Sequence, residues 1–300
     1  MINENNNMIK IAFLGGDMRA AIAAERLAKE LGSVYAWGVP VGEDNSGVIY
    51  CDSIADALAD AAAVVLPLPA STDGYTLNMS GSSEGKIMPL SAIVDLVGKN
   101  TLIIGGRLSD ELMNYAGGLG IRIFDYFRQE SFQIDNAYTT AEAAINVAMN
   151  NLSRNVRGAR FAVTGYGRIA KLLSKLLLDL GADVTVAARK DSDLAWATLS
   201  GCRTHSLIRD PITALCKGFD VIYNTVPDIL FGAEFLAMLD KRTVMIELAS
   251  APGGIDVSAA KRLHTNVLWA ASLPGKYAPE SAGALIARCV KDIIKVEVGI

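Results

Sequence analysis

Two α/β domains, each a parallel sheet covered by helices, are what this sequence of 300 residues predicts. Three observations carry the expectation. Short apolar runs rich in valine, isoleucine and alanine alternate with segments of helical spacing along most of the chain. Residues 160–190, RFAVTGYGRIAKLLSKLLLDLGADVTVAARK, read as strand, glycine turn, helix and strand. Two long amphipathic segments, 136–153 and 281–298, fall at a domain junction and near the end of the chain. The units expected are Rossmann-like or flavodoxin-like. Residues 1–138 with 281–300 make the first, and 139–280, with the connecting helix, make the second.

The elements follow in order. Residues 9–14 form a buried strand, and Gly15-Gly16-Asp17 turns out of it. Residues 18–31 place alanine, leucine and isoleucine on one helical face, leave Arg19, Arg26 and Lys29 for the polar side, and stop at Gly32. Strands are predicted at 34–39 and 48–51. Ser53 caps a helix through Leu58, with Asp56 as the acidic partner in its first turn. A strand at 63–66 is ended by Pro67 and Pro69. Residues 70–89 then break the alternation. This stretch is long, polar and rich in glycine and serine, and it follows the carboxyl end of a strand, where open α/β sheets bind ligands. A helix at 90–97, a strand at 101–104, a helix capped by Ser109 and a strand at 121–124 complete the first unit.

In the second unit the turn Gly165-Tyr166-Gly167-Arg168-Ile169-Ala170 stands between a strand and a leucine-rich helix. Gly165 permits the turn, Gly167 lets backbone approach a pyrophosphate, and Ala170 keeps the helix close to the sheet. The helix N-terminus offers N–H groups and a positive dipole end to phosphates. A dinucleotide is therefore the predicted ligand. An NAD site carries an acidic residue about 20 residues beyond the glycines, on the ribose 2′-hydroxyl. Ala187-Ala188-Arg189-Lys190 stands there instead, and two cations at a strand tip predict a 2′-phosphate, hence NADP. The competing reading makes Arg189 and Lys190 a solvated loop beside Asp191 and Asp193. Further strands are predicted at 219–224, 243–248 and 266–270, with a glycine loop at 249–254. Thr225-Val226-Pro227, after the first of them, reads as the border of the ribose and nicotinamide, or as a plain turn.

Composition narrows the class. Hydrophobic residues make up 51% and mean hydropathy is +0.29, yet the longest apolar stretch, 61–70, holds two prolines and is too short to span a bilayer. The asparagine-rich first ten residues lack the basic and long apolar regions of a signal peptide. Cys51, Cys202, Cys216 and Cys289 are scattered, as thiols of a reducing compartment are, and a cytoplasmic protein is expected. A net charge of −4 without a basic run argues against nucleic acid. With only His205 and His264, no histidine-built metal site is expected.

Five motifs taken together resemble a known family. They are LGGDMR at 14–19, LPLPASTDG at 66–74, GGR at 105–107, TGYGRIA at 164–170 and LPGKYAPESAG at 273–283. They are similar to those of the A-subunit of dipicolinate synthase, over nearly the full length. The resemblance implies an enzyme of spore formation that works with a flavoprotein-like B-subunit. It implies NADP-dependent conversion of 4-hydroxytetrahydrodipicolinate to dipicolinate by dehydration and dehydrogenation. The plan also resembles the formate/glycerate dehydrogenase group, in which the last helix returns to the first domain. Those enzymes use a histidine paired with a carboxylate, and His264 lies away from the helix position that would supply it. A small cyclic dicarboxylate requires cations or dense hydrogen-bond donors. Arg19, Arg107 and Lys276 are the candidate cations, with Ser71, Thr72 and residues 80–83 as donors. Each arginine also reads as a structural salt bridge or a solvated helix face. Lys276, Tyr277 and Glu280 are the unranked candidates for proton transfer. A 2-hydroxy-acid dehydrogenase and a non-catalytic NADP-binding regulator stand as alternatives, and a homo-oligomer is left open.

Overall fold

The computed structural model describes residues 9–44, 47–80 and 87–299. The chain divides into two compact units, Met1–Asp135 with Ala278–Ile300, and Asn136–Tyr277.

The first unit carries strands β1 (Ile11–Leu14), β2 (Val34–Trp37), β3 (Val48–Tyr50), β4 (Ala63–Val65), β5 (Leu102–Gly105) and β6 (Arg122–Asp125). They form one parallel sheet in the order β3-β2-β1-β4-β5-β6. Its helices are α1 (Met18–Leu31), α2 (Ile54–Leu58), α3 (Leu90–Leu96) and α4 (Asp110–Gly118). The junction helix α5 (Glu130–Met149) follows. β1 is apolar throughout because both faces of the sheet are covered. Ile11 and Phe13 join one core layer with α1, while Ala12 and Leu14 join another with α2, α3 and α4.

The second unit carries β7 (Arg160–Thr164), α6 (Arg168–Asp179), β8 (Asp183–Ala188), α7 (Asp191–Leu199), β9 (Arg203–Ser206) and β10 (Val221–Asn224). After these come α8 (Ala233–Met238), β11 (Val244–Glu247), α9 (Val257–Arg262), β12 (Val267–Trp269) and α10 (Leu273–Tyr277). Its sheet runs β12-β11-β10-β7-β8-β9, all parallel. Read from the third strand of each unit, both orders are the Rossmann order 3-2-1-4-5-6, which excludes the flavodoxin order for the first unit. The ligand crevice of such a sheet opens where the order reverses, here at β1/β4 and at β7/β10.

The closing helix α11 (Pro279–Val298) lies in the first unit, with Leu285 and Ile294 in one core with Phe13 and Leu27. Gly283 lets it approach α1 closely, since a Cβ there would stand 2.7 Å from Ile22 and 2.9 Å from the Arg19 carbonyl oxygen.

Several boundaries differ from the sequence reading. α5 starts at Glu130, not 136, because Phe132 is buried against Tyr126, with ring centroids 5.0 Å apart. α11 starts at Pro279, a residue suited to a first helical turn. Edge strand β9 has a polar sequence, RTHS, and escaped notice, as did α7, α8 and α9. Residues 273–277, read as part of an irregular motif, form α10.

Candidate functional site

The glycine turn of the second unit is built as its residue types demand. Gly165 has φ +84°, and a Cβ there would meet Thr225 Oγ1 at 2.6 Å and Val226 Cγ2 at 3.1 Å. Only glycine lets the β7 and β10 ends approach this closely. Gly167 is exposed, with nothing within 4 Å of where its Cβ would stand, so the backbone presents an open edge. It is the N-cap of α6, and no side chain caps the helix. Ala170 is fully buried against the sheet, and Ile169 is half-buried. These residues fit a pyrophosphate: an open edge, an uncapped helix end and a tight strand-to-helix step. Arg168 is exposed at the first turn. Tyr166 differs from the expected contact, because its ring is buried in the core with Oη 3.3 Å from Ser200 Oγ. Its main chain alone belongs to the turn.

A buried polar network, missed by the sequence reading, underlies the neighbouring strand ends. Thr164 Oγ1 donates to Asn224 Oδ1 at 2.6 Å. Asn224 Nδ2 donates to both carboxylate oxygens of Glu247, at 2.8 and 3.0 Å, and to the Val226 carbonyl at 2.8 Å. The N–H groups of Ala249 and Gly254 each donate to Glu247 at 2.9 Å. Burial raises the Glu247 carboxyl above its ordinary range, and the N–H donors of Gly254 and Ala249, with the Asn224 amide, offset only part of that rise. A signal existed in the sequence, since Asn224 and Glu247 are polar residues ending apolar runs. Thr225 Oγ1 donates to the Thr164 carbonyl at 2.7 Å, and Pro227 is exposed beyond it.

Arg189 and Lys190 are exposed immediately past β8. Arg189 lies 3.5 Å from Asp228, with both side chains about two-thirds exposed at 64% and 67%. Such a solvated pair is weak and readily exchanged for a stronger anion. Asp191 is taken by Arg209 at 2.7 Å.

In the first unit, three more of the motifs follow the carboxyl ends of β1, β4 and β5. Asp17 caps α1 and accepts from Arg19 Nε at 2.9 Å and from its terminal NH2 at 2.8 Å. That NH2 also donates to the Leu68 carbonyl at 2.5 Å, and Arg19 is 7% exposed. The guanidinium expected to face a substrate is instead engaged by its own unit.

Arg107 behaves oppositely. It is exposed, with φ +56° in a region that non-glycine residues avoid. The Asp125 carboxylate holds it there, accepting the N–H groups of Arg107 and Leu108 at 3.0 Å each and of Phe127 at 2.8 Å. The Arg107 guanidinium carbon lies 5.8 Å from the Phe127 ring centroid. Strain of this kind, over-determined by its surroundings, gathers at functional sites.

The expected loop donors are mostly engaged within the loop. Ser71 Oγ donates to Asp73 at 2.7 Å, and Ser80 Oγ donates to the Gly16 carbonyl at 2.6 Å, whereas Thr72 is exposed. Residues 81–83 of the expected donor stretch lie outside the described residues. The Asp73 carboxyl is held well below its usual range by the Thr76 hydroxyl and the N–H groups of Thr76 and Tyr75. Lys276 and Tyr277 are exposed at the end of α10. Glu280 forms an exposed ion pair with Arg26 at 2.6 Å in the first unit, so this proton-transfer candidate already holds a cation. His264 is exposed before β12, at the amino end of the sheet. His205 Nε2 is buried without a partner on β9. Neither stands at the carboxyl ends of β7, β10 and β11.

Two sheets in this order, one with a strand–GxGxxA–helix turn, define the Rossmann class of fold. Residues 10–127 match the family model for the N-terminal domain of the dipicolinate synthase A-subunit. The chain is 26% identical over 287 residues to the dipicolinate synthase A-subunit of Bacillus subtilis (strain 168), covering 95% of this chain and 96% of that one. The crystal structure of that protein superposes with a TM-score of 0.82, covering 97% of each chain. The corresponding A-subunit from Bacillus halodurans, 23% identical, also gives 0.82, covering 95% of this chain and 97% of that one. A transhydrogenase from Sinorhizobium meliloti, 14% identical, gives 0.66 and shares the fold, covering 96% and 94%. Over nearly its whole length the chain is thus similar to dipicolinate synthase A-subunits. Among the described residues no helix is long and apolar enough to cross a membrane.

Proposed function

We propose that this chain is the NADP-dependent oxidoreductase component of a dipicolinate synthase. It acts in the cytoplasm of a sporulating cell, with a flavoprotein-like B-subunit. The substrate is 4-hydroxytetrahydrodipicolinate, which loses water, then a hydride and a proton, to become the aromatic dicarboxylate. NADP, when bound, supplies the hydride acceptor. Aromaticity drives the oxidation, so the protein has mainly to orient the ring and exclude water.

The observation that carries the reading is the turn at Gly165 and Gly167, open at its edge and followed by Arg189 and Lys190 where an NAD site would hold a carboxylate. Gly165, Gly167 and Ile169 would hold the pyrophosphate by their main chain, as would Tyr166 and Arg168. Arg189 and Lys190 would meet the 2′-phosphate, and Thr225, Val226 and Pro227 would border the nicotinamide ribose. For the substrate carboxylates, the exposed and strained Arg107 suits the role better than the engaged Arg19. Lys276 and Tyr277 remain the groups proposed to move the proton. Glu280 would first have to leave Arg26.

Three measurements test this. Arg189→Ala is expected to weaken NADP by about 1–3 kcal/mol, the range of one charge-assisted hydrogen bond, and to leave NAD nearly unchanged. Equal losses in calorimetric titrations with both cofactors would remove Arg189 from the 2′-phosphate. Arg107→Met keeps bulk and discards charge. It is expected to lower turnover about ten- to hundred-fold, with NADP affinity near that of the parent. Assays of the chain alone and with the B-subunit decide between an enzyme and a nucleotide sensor, which would show no turnover in either.

A further inference from the structure

Thr164, Asn224 and Glu247 are the last residues of β7, β10 and β11, and they stand in register, Asn224 opposite Thr164 on one side and Glu247 on the other. The direction of every hydrogen bond among them is determined. The Val226 N–H can only donate, and it meets Asn224 Oδ1 at 3.2 Å. The amide NH2 is thereby turned to Glu247 and the Val226 carbonyl. Glu247 is 1% exposed, and its side-chain partners, Asn224 Nδ2 and the Ala249 and Gly254 N–H groups, are all donors. Each of these bonds is one that the carboxylate form accepts. The geometry is that of a fixed anion beneath the loops 225–228 and 249–254.

A Rossmann sheet is made of two mononucleotide-binding halves. The glycine turn and the tip of β8 belong to the half that takes the adenosine phosphates. The nicotinamide therefore falls to the half of β10, β11 and β12, which holds Glu247. Oxidised nicotinamide carries a positive ring charge, and the reduced ring carries none. A buried anion on that half interacts with one form and not the other, through a medium that screens weakly.

We propose that Glu247 is a positioning and charge-biasing residue: it fixes both loops through Asn224, and its carboxylate favours oxidised over reduced nicotinamide. The proposal rests on the nucleotide reading given above. Such a bias suits a protein whose reaction starts from the oxidised cofactor.

The test uses the full chain and three probes, NADP+, NADPH and adenosine 2′,5′-bisphosphate, which lacks the nicotinamide half. Glu247→Gln is expected to raise the ratio of the NADP+ to the NADPH dissociation constant about three- to ten-fold. Adenosine 2′,5′-bisphosphate affinity should stay unchanged. Glu247→Asp, which keeps the charge, should hold the ratio near the parent value even where both affinities fall. An equal loss of NADP+ and NADPH in Glu247→Gln would reduce Glu247 to a purely structural role and overturn the bias. The unaltered chain gives a check that needs no variant. It should bind NADP+ at least as tightly as NADPH, and a clear preference for NADPH would also overturn the proposal. If the unaltered chain binds none of the three probes, the nucleotide reading itself fails. That outcome differs from the equal-loss result.

Discussion

Asp17→Ala is expected to destabilise the first unit by about 3 kcal/mol. The substitution leaves the Arg19 guanidinium, whose side chain is 8% exposed, with the Leu68 carbonyl as its remaining partner. Removing one member of a buried pair costs about 3–5 kcal/mol, because the other charge is left uncompensated. The Asp17 side chain is 41% exposed, so water already weakens the pair and the lower end applies. Loss of the N-cap to the Arg19 N–H, worth about 1 kcal/mol, is part of the same change. Arg19 also ties α1 to the turn after β4, so the damage should centre there. Hydrogen exchange of β1, α1 and β4 amides under rising urea measures it, with second-unit peptides as internal reference. Asp17→Asn, which keeps the cap, should lose less. Unchanged exchange in Asp17→Ala would show that Arg19 finds another partner and is less committed than its geometry indicates.

Gly165→Ala and Gly167→Ala are expected to separate folding from binding. At Gly165, φ +84° strains any side chain, and the new methyl would stand 2.6 Å from Thr225 Oγ1. Left-handed strain of about 1–2 kcal/mol and overpacking of about 1–3 kcal/mol should together lower both stability and nucleotide affinity. At Gly167 the methyl meets nothing within 4 Å and φ is −78°. Stability should stay within about 0.5 kcal/mol, as for surface changes, since only the approach of a ligand is obstructed. NADP affinity should nonetheless fall about ten-fold or more, the loss of roughly one charge-assisted contact. Thermal melts and calorimetric titrations on the two variants give the four numbers required. A Gly167→Ala chain that binds NADP like the parent would mean that no pyrophosphate lies over this edge.

What the sequence determined by itself was the local grammar of this protein. Apolar runs buried on both faces, such as Ile11–Leu14, admit little but a central parallel strand, and Ser53 and Ser109 announce the helices that they cap. The Gly165–Ala170 turn was legible because each residue type there answers a backbone requirement inside one short segment. Chemistry that joins distant segments was not legible. In sequence Arg19 read equally as a substrate cation and as a structural salt bridge, and the fold decides by bringing Leu68 to it across 49 residues and leaving Asp17 at its side. Arg107 looked identical in kind, yet the tertiary structure holds it exposed and strained on the Asp125 carboxylate. Thr164, Asn224 and Glu247 lie 60 and 23 residues apart and become one network only when β7, β10 and β11 pair in register. Periodicity and propensity act over a few residues. Whether a charge is engaged or available depends on which strands become neighbours, and the sheet decides that.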